Sequence, residues 1–307
     1  MPTKLKIILP QIDGLQALSP IGTVGVVNIK PELGYRIHQF DIVYVDGGGA
    51  PTDILALIGD IVVWRNGVAI RTHTAAELDY LNQLNGTQYA RQQVGAGAAM
   101  RQTLRIYFAE PWRKDKADTD MLAFNAGLQN GVNRLQIKIT LIAALPATAS
   151  IYAQMRVDSE IAPPKGVQWN LKKVYRQSLT ASGTTNDFSG TLDTGDKYQV
   201  IALRNPTGAY VQYATLKLNG NLVFERQRME DNIGDLVQLG INPLAGQTLA
   251  TAQTAGNIGF PIVLDADDPL NSALDTTGGV LWLKTEYSAA ATGNVSALIE
   301  RLGTPDH

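Results

Sequence analysis

The sequence predicts an all-β chain of two tandem domains, each a pair of packed antiparallel sheets or a jelly roll with one short helix. Three observations lead there. Runs rich in Val, Ile, Thr and Tyr recur between Gly, Pro, Asn and Asp, and the connections are too short for the crossover helices of a parallel sheet. At 307 residues the chain exceeds most single cores, so two domains of about 150 residues are its natural division. The third observation is a pattern that occurs once in each half.

Residues 61–71 read Ile-Val-Val-Trp-Arg-Asn-Gly-Val-Ala-Ile-Arg, and residues 214–225 read Ala-Thr-Leu-Lys-Leu-Asn-Gly-Asn-Leu-Val-Phe-Glu. Both are apolar strands interrupted by Asn-Gly, the signature of a two-residue type I′ hairpin, whose two central residues need positive φ. From Asn66 to Asn219 is 219 − 66 = 153 residues, half the chain. A helix succeeds the hairpin in both halves. After the first copy, Thr74-Ala75-Ala76-Glu77 forms a capping box, Leu78, Leu81 and Leu84 keep helical spacing, and Asn85-Gly86 supplies the stop. After the second, Met229 to Asn232 open a helix that carries Ile233, Leu236, Val237 and Leu239 and ends at Gly240.

Each helix leads into a segment rich in Ala, Gly and Gln, residues 86–102 and 245–257, which lack apolar periodicity and read as long surface excursions. A strand comes next in both halves, residues 104–108 and 258–264, and runs into an acidic loop. The loops hold Asp115, Asp118 and Asp120 in one half and Asp265, Asp267 and Asp268 in the other. Two strands close each half: residues 135–143 and 151–157, against 280–287 and 295–302. Upstream, the strand at Tyr35 matches the one at Tyr198, offset by 198 − 35 = 163, a difference that a surface loop absorbs. The Pro163-Pro164 pair cannot continue a ladder, so the boundary is set there: residues 1–162 form the N-terminal domain and 163–307 the C-terminal one.

Composition narrows the function. Hydrophobic residues make up 45% and charged residues 18%, which fits a folded chain rather than a disordered one. No apolar stretch is long enough for a membrane-spanning helix, and the N-terminus, with Lys4, Lys6 and a short apolar run before Pro10, reads as a strand or arm instead of a signal peptide. Cysteine is absent, which excludes disulfides and thiolate metal sites and fits a reducing cytoplasm. A net charge of −2 with scattered Lys and Arg gives no footprint for nucleic acid; Arg113, Lys114 and Lys116 are offset by Asp115 and Asp118 and read as a solvated loop.

Catalytic motifs are equally sparse. Of three histidines, His307 is terminal, and His38 and His73 read as partly exposed structural residues. Gly95-Ala96-Gly97 lacks the strand and the Lys-Ser/Thr of a phosphate loop, and Gly47-Gly48-Gly49 lacks a following helix, so both read as turns. Asp193-Thr194-Gly195 matches the aspartic protease triplet, but that chemistry needs two carboxylates sharing a proton. The first half has no Asp-Thr-Gly, and Asp275-Thr276-Thr277-Gly278 carries an inserted residue, so a turn is the better reading. The loop from Asp265 to Asp268 offers oxygen ligands for calcium without the Gly and Glu that complete an EF-hand, and a solvated loop is preferred. Trp64, Trp112, Trp169 and Trp282 lie in or beside strands and read as core or interface, not as a base-stacking stripe. The expectation is therefore no enzyme, with no catalytic residue, cofactor or metal.

The opening Leu9-Pro10-Gln11-Ile12-Asp13, the strand Gly34-Tyr35-Arg36-Ile37, and the stretch from Ile58 through Asn66-Gly67 to Asn82 resemble the double jelly-roll coat proteins of tailless icosahedral viruses. More specifically, they resemble the corticovirus type, from membrane-containing bacteriophages. The resemblance covers residues 5–90 by motif and the second half through the repeat. It implies a major capsid protein, made in the host cytoplasm and located in the virion. Six jelly rolls of a homotrimer would form a pseudo-hexagonal capsomer of an icosahedral shell. The implied partners are the chain itself, neighbouring capsomers, penton or minor capsid proteins and an internal viral membrane, with no direct contact to nucleic acid. The alternative is a carbohydrate- or receptor-binding β-sandwich pair of the spike or lectin kind, equally free of cysteine and catalytic groups. It would present clustered exposed aromatics on one set of loops.

Overall fold

Leu135, Ile137, Ile139 and Leu141 are buried while the residues between them are half-buried, the period-two pattern of a strand with one face on a core. The computed structural model describes residues 4–29, 35–48, 52–95, 100–113, 122–126, 134–158, 171–265 and 273–303. They divide into two compact units. The first comprises Met1–Asn82 with Gln88–Lys172, the second Gln83–Thr87 with Lys173–His307. The Pro163-Pro164 boundary lies outside the described residues.

The first unit contains β1 (Lys4–Gln11), β2 (Val24–Ile29), β3 (Tyr35–Asp46), β4 (Ile58–Arg65), β5 (Val68–Thr74), β6 (Gln92–Val94), β7 (Met100–Tyr107), β8 (Phe124–Ala126), β9 (Leu135–Leu141) and β10 (Ala149–Asp158). Leaving aside the short β6 and β8, the pairing follows one rule: first strand with last, β1 with β10, then β2 with β9, β3 with β7 and β4 with β5, all antiparallel. A long hairpin rolled up in this way is a jelly roll. Its sheets run β1-β10-β3-β7 and β2-β9-β4-β5, with β6 added beyond β7 and β8 against β3. Between them lies one core that includes Phe40, Ile42, Leu104, Phe108, Ile137 and Met155. Each such side chain contributes about 1.5–3 kcal/mol by leaving water.

The second unit repeats the scheme with β11 (Leu171–Asp187, its first two residues still in the first unit), β12 (Lys197–Arg204), β13 (Val211–Leu218), β14 (Asn221–Arg228), β15 (Ile258–Val263), β16 (Leu274–Asp275) and β17 (Leu281–Gly303). Here β12 pairs with β15 and β13 with β14, as β3 with β7 and β4 with β5 in the first unit. The expected strands at 280–287 and 295–302 are one continuous element. Residues 281–287 of β17 pair with β13, and residues 297–302 pair with β12, so the strand passes from one sheet to the other. Gly293 stands between these two parts at φ 90, and β11 carries Gly183 at φ 78. The matching corners of the first unit contain Pro20 and Pro146, which have no N–H to give a ladder and break the strand. The second core includes Tyr198, Ile201, Leu216, Phe260, Leu283 and Ile299.

Both predicted helices form. In Ala75–Leu84 the capping box closes both ways: Thr74 N–H donates to Glu77 Oε2 at 2.7 Å and Glu77 N–H to Thr74 Oγ1 at 3.1 Å. The helix Met229–Gln238 ends in a Schellman motif, with Gly240 at φ 79 and Ile241 N–H donating to Leu236 O at 3.0 Å. There is more helix than one per unit: Ile54–Leu57, Leu249–Ala252 and a 3-10 turn at Thr87–Tyr89 are added. The two Ala/Gly/Gln segments are not plain surface excursions. Residues 92–94 and 100–102 belong to β6 and β7, and Ala252 is buried in the second core.

Candidate functional site

The Asn-Gly hairpins close with the same hydrogen-bond ring in both units. Asn66 and Gly67 have φ of 48 and 86, Asn219 and Gly220 of 52 and 82, the type I′ values. Asn66 N–H donates to Arg134 O at 3.1 Å, and Arg134 N–H donates to Asn66 Oδ1 at 2.8 Å. Asn219 and Val280 form the identical pair at 3.0 and 2.8 Å. Each ring ties the hairpin tip to the residue just before the strand that pairs beside it, β9 or β17. Two residues before each Asn stand Trp64 and Lys217, and each joins a cation–π pair across the sheet. Lys138 lies over Trp64 at 4.9 Å and Lys217 over Trp282 at 4.8 Å. The pair persists with its members exchanged between strands.

Two adjacent lysines at the start of β11 enter separate ion-pair groups, as alternation along a strand requires. Lys172, 3% exposed, reaches Glu110 at 2.5 Å, and Arg113 reaches the other oxygen at 2.9 Å. Burial by itself would raise the Glu110 carboxyl; the two cations outweigh it and hold the group below its ordinary value of 4.5. Around them Tyr89, Tyr107 and Trp112 pack edge-to-face, and Arg71 donates to Tyr107 O at 2.8 Å and to Lys172 O at 3.1 Å. Lys173 meets both oxygens of Asp196 at 3.3 Å, and Arg301 meets Asp196 at 3.1 Å while lying over the Tyr175 ring. A Cβ on Gly303 would collide with Asp196 and Lys173 and push that pair out of place. Lys172, Arg113, Glu110, Lys173, Arg301 and Asp196 are each engaged by an opposite charge, which is the condition for keeping charges buried.

The residues singled out in the sequence do not converge. His38 and His73 are 4% and 0% exposed, not partly exposed: His73 pairs opposite the core residue Ile61, and His38 Nε2 sits 2.7 Å from Asp158 Oδ1. The loops at Asp193 and Asp275 do meet, through Thr276. Its hydroxyl donates to Asp196 O at 2.7 Å and accepts from Gly195 N–H at 3.1 Å. Their carboxylates have separate partners, however. Asp193 is 72% exposed and 3.6 Å from Arg301, while Thr277 N–H donates to Asp275 at 2.9 Å and holds that carboxyl below its ordinary range.

Asp265 is buried and accepts from Gln199 Nε2 at 2.8 Å, but Asp267 and Asp268 lie outside the described residues, as do Asp115, Asp118, Asp120, Lys114, Lys116, Trp169 and His307. Gly48 N–H donates to Asp46 Oδ1, which makes that glycine run an ordinary turn as far as it is described; Gly49, Ala96 and Gly97 fall outside. Trp64, Trp112 and Trp282 are half-buried, between core and surface. Among the described residues no three His, Asp or Glu side chains are gathered for a metal, and no helix is long and apolar enough to cross a membrane. The paired lysine groups were missed in the sequence, because a lysine next to a lysine gives no hint of distant acids.

Comparison with family models and with curated proteins finds no match. Comparison with solved structures finds several viral capsid proteins. The major capsid protein P2 from bacteriophage PM2 superposes with a TM-score of 0.72 at 14% identity, over 98% of each chain. The PBCV-1 virus capsid gives 0.62 at 11% identity, over 98% of this chain and 94% of that one. The STIV major capsid protein gives 0.60 at 12% identity, over 99% and 97%. At such identities the likeness establishes the fold: this chain is a double jelly roll of the kind these capsid proteins have.

Proposed function

We propose that the chain is a viral major capsid protein whose homotrimers are pseudo-hexagonal capsomers of an icosahedral shell. The observation that carries this reading is the end-to-end match, over 98% of both chains, to a phage major capsid protein. Physical reasons support it. Two jelly rolls in tandem, with one hairpin closure repeated in both, turn three-fold symmetry into a nearly six-fold outline, and such an outline tiles a flat lattice. A net charge of −2 keeps repulsion between packed copies small. The first jelly roll is assigned to residues 1–162 and the second to 163–307. The protein belongs to the virion and is made in the host cytoplasm. Its partners are itself, neighbouring capsomers, penton or minor capsid proteins and an internal membrane. Its role is structural, without catalytic residue, cofactor or metal, and Asp193 and Asp265 are loop residues.

Light scattering on a sizing column tests the reading. The expected species has three times the 33.1 kDa chain mass, with shells visible by electron microscopy at higher concentration. A strict monomer at high concentration removes the coat-protein reading.

A further inference from the structure

The first jelly roll exposes aliphatic side chains that its own core does not use. Leu18, Ile21, Val24 and Ile142 are 70, 68, 44 and 50% exposed. Backbone bonds bring them together. Leu18 N–H donates to Leu145 O at 3.1 Å, Gly22 N–H to Leu141 O at 2.8 Å and Leu141 N–H to Thr23 O at 2.9 Å, and Val24 pairs with Thr140. Ile142 lies across Gly59, where any Cβ would collide with it, and Asp60 borders the patch on β4. The segments that build this surface, residues 14–29 and 139–155, contain no Asp, Glu, Lys or Arg in a chain that is 18% charged.

A second observation is independent of exposure. Leu18 has φ 66, in the left-handed region that a leucine adopts only under strain. Asn, Asp or Gly would sit there at ease, yet the position presents a large apolar side chain to water. Strain of this sort persists where the presented group has a use.

We propose that this surface is a contact between copies of the chain, neutral aliphatic face against neutral aliphatic face. The inference rests on the reading that the chain self-assembles. Charge selects the occupant. A surface that docks on a bilayer sets its apolar side chains among several Lys or Arg that meet the headgroups; these segments hold none, and Lys138 alone flanks them on β9, lying over Trp64. A second copy of the same face covers its aliphatic centre without stripping a charge of water, while Asp60 and Lys138 stand at its border. The contact is made through side chains and not by adding a strand. On β2, the edge of its sheet, Val26 N–H already donates to Asp13 O at 2.8 Å, and Gly14 packs at Val24 O. The second unit treats its edge differently, with Glu225, Arg226 and Arg228 along β14, the charges that ward off a neighbour.

The test uses the full chain and the variants Leu18→Asp and Ile21→Asp, with association followed by light scattering across a concentration series and folding by thermal melts. Asp is more at ease than Leu at positive φ, so Leu18→Asp keeps or raises Tm while it charges the face. The expected result is a concentration of half-association raised about tenfold or more in each variant, with the fold intact. Association equal to the wild type in both variants overturns this contact while leaving the coat reading standing. The same holds if association is unchanged and only flotation with phosphatidylcholine vesicles is lost, since lipid is then the occupant. A wild-type chain that remains monomeric overturns both readings.

Discussion

The carboxylate of Glu110 illustrates how one residue sets a pH limit on the fold. Burial opposes its charge, and Lys172 and Arg113 restore it, so its folded pKa lies below the ordinary 4.5. A group depressed in this way stabilises the fold fully above the unfolded carboxylate range, and that contribution is lost as pH falls through the lower folded value. Glu110→Gln therefore has two expected effects. At neutral pH it leaves Lys172 buried without its counter-charge, which costs about 3–5 kcal/mol. It also flattens the fall of Tm on acidification below about pH 5 that the wild type shows. Adding Lys172→Met recovers most of the neutral-pH loss, because the unpaired buried charge is then gone. Thermal melts at several pH values check this; an unchanged pH slope in Glu110→Gln would sink it. None of this was legible in the sequence, where Lys172 and Glu110 stand 172 − 110 = 62 residues apart.

Among the elements, the hairpins were legible and the long strands were not, for a physical reason. An Asn-Gly turn is specified by the two residues in it, because positive φ selects them locally. The ring that each Asn forms with Arg134 or Val280 adds a non-local bond that no local pattern records. Asn219→Ala loses both the left-handed preference and the side-chain bond, an expected cost of about 2 kcal/mol, whereas Asn219→Gly keeps the conformation and costs about 1. The same order is expected at Asn66. Denaturant midpoints decide it, and equal costs for Ala and Gly would mean that the turn is indifferent to φ. By contrast, Met100 to Gln102 looked like a loop because Gly, Ala and Gln give no apolar period. They are strand because β3 pairs along them, Met100 opposite Asp46 and Gln102 opposite Tyr44. The corners of β11 and β17 were hidden for a related reason: a glycine can bend a strand as well as end it, and only the partner strands decide which.

For the whole molecule, the duplication read from the order of motifs corresponds to two jelly rolls whose cores are separate clusters of buried side chains. What order could not supply is how each β-sandwich closes, because the pairing of β1 with β10 or β2 with β9 joins residues far apart in sequence. Separate cores make a prediction about stability. Phe40 is fully buried in the first core, and Phe40→Ala is expected to cost about 3–5 kcal/mol through lost transfer energy and the cavity left behind. The loss is expected in the unit that contains the cavity, since Phe40 belongs to the first cluster. Native-state hydrogen exchange on Phe40→Ala should therefore show faster exchange at the amides of β3, β7 and β10, with β12 and β15 protected as in the wild type. Equal loss in β12 and β15 would mean that the two jelly rolls unfold as one cooperative body. In that case a defect in either would cost the chain its whole fold, and the two-core description would hold for packing but not for stability.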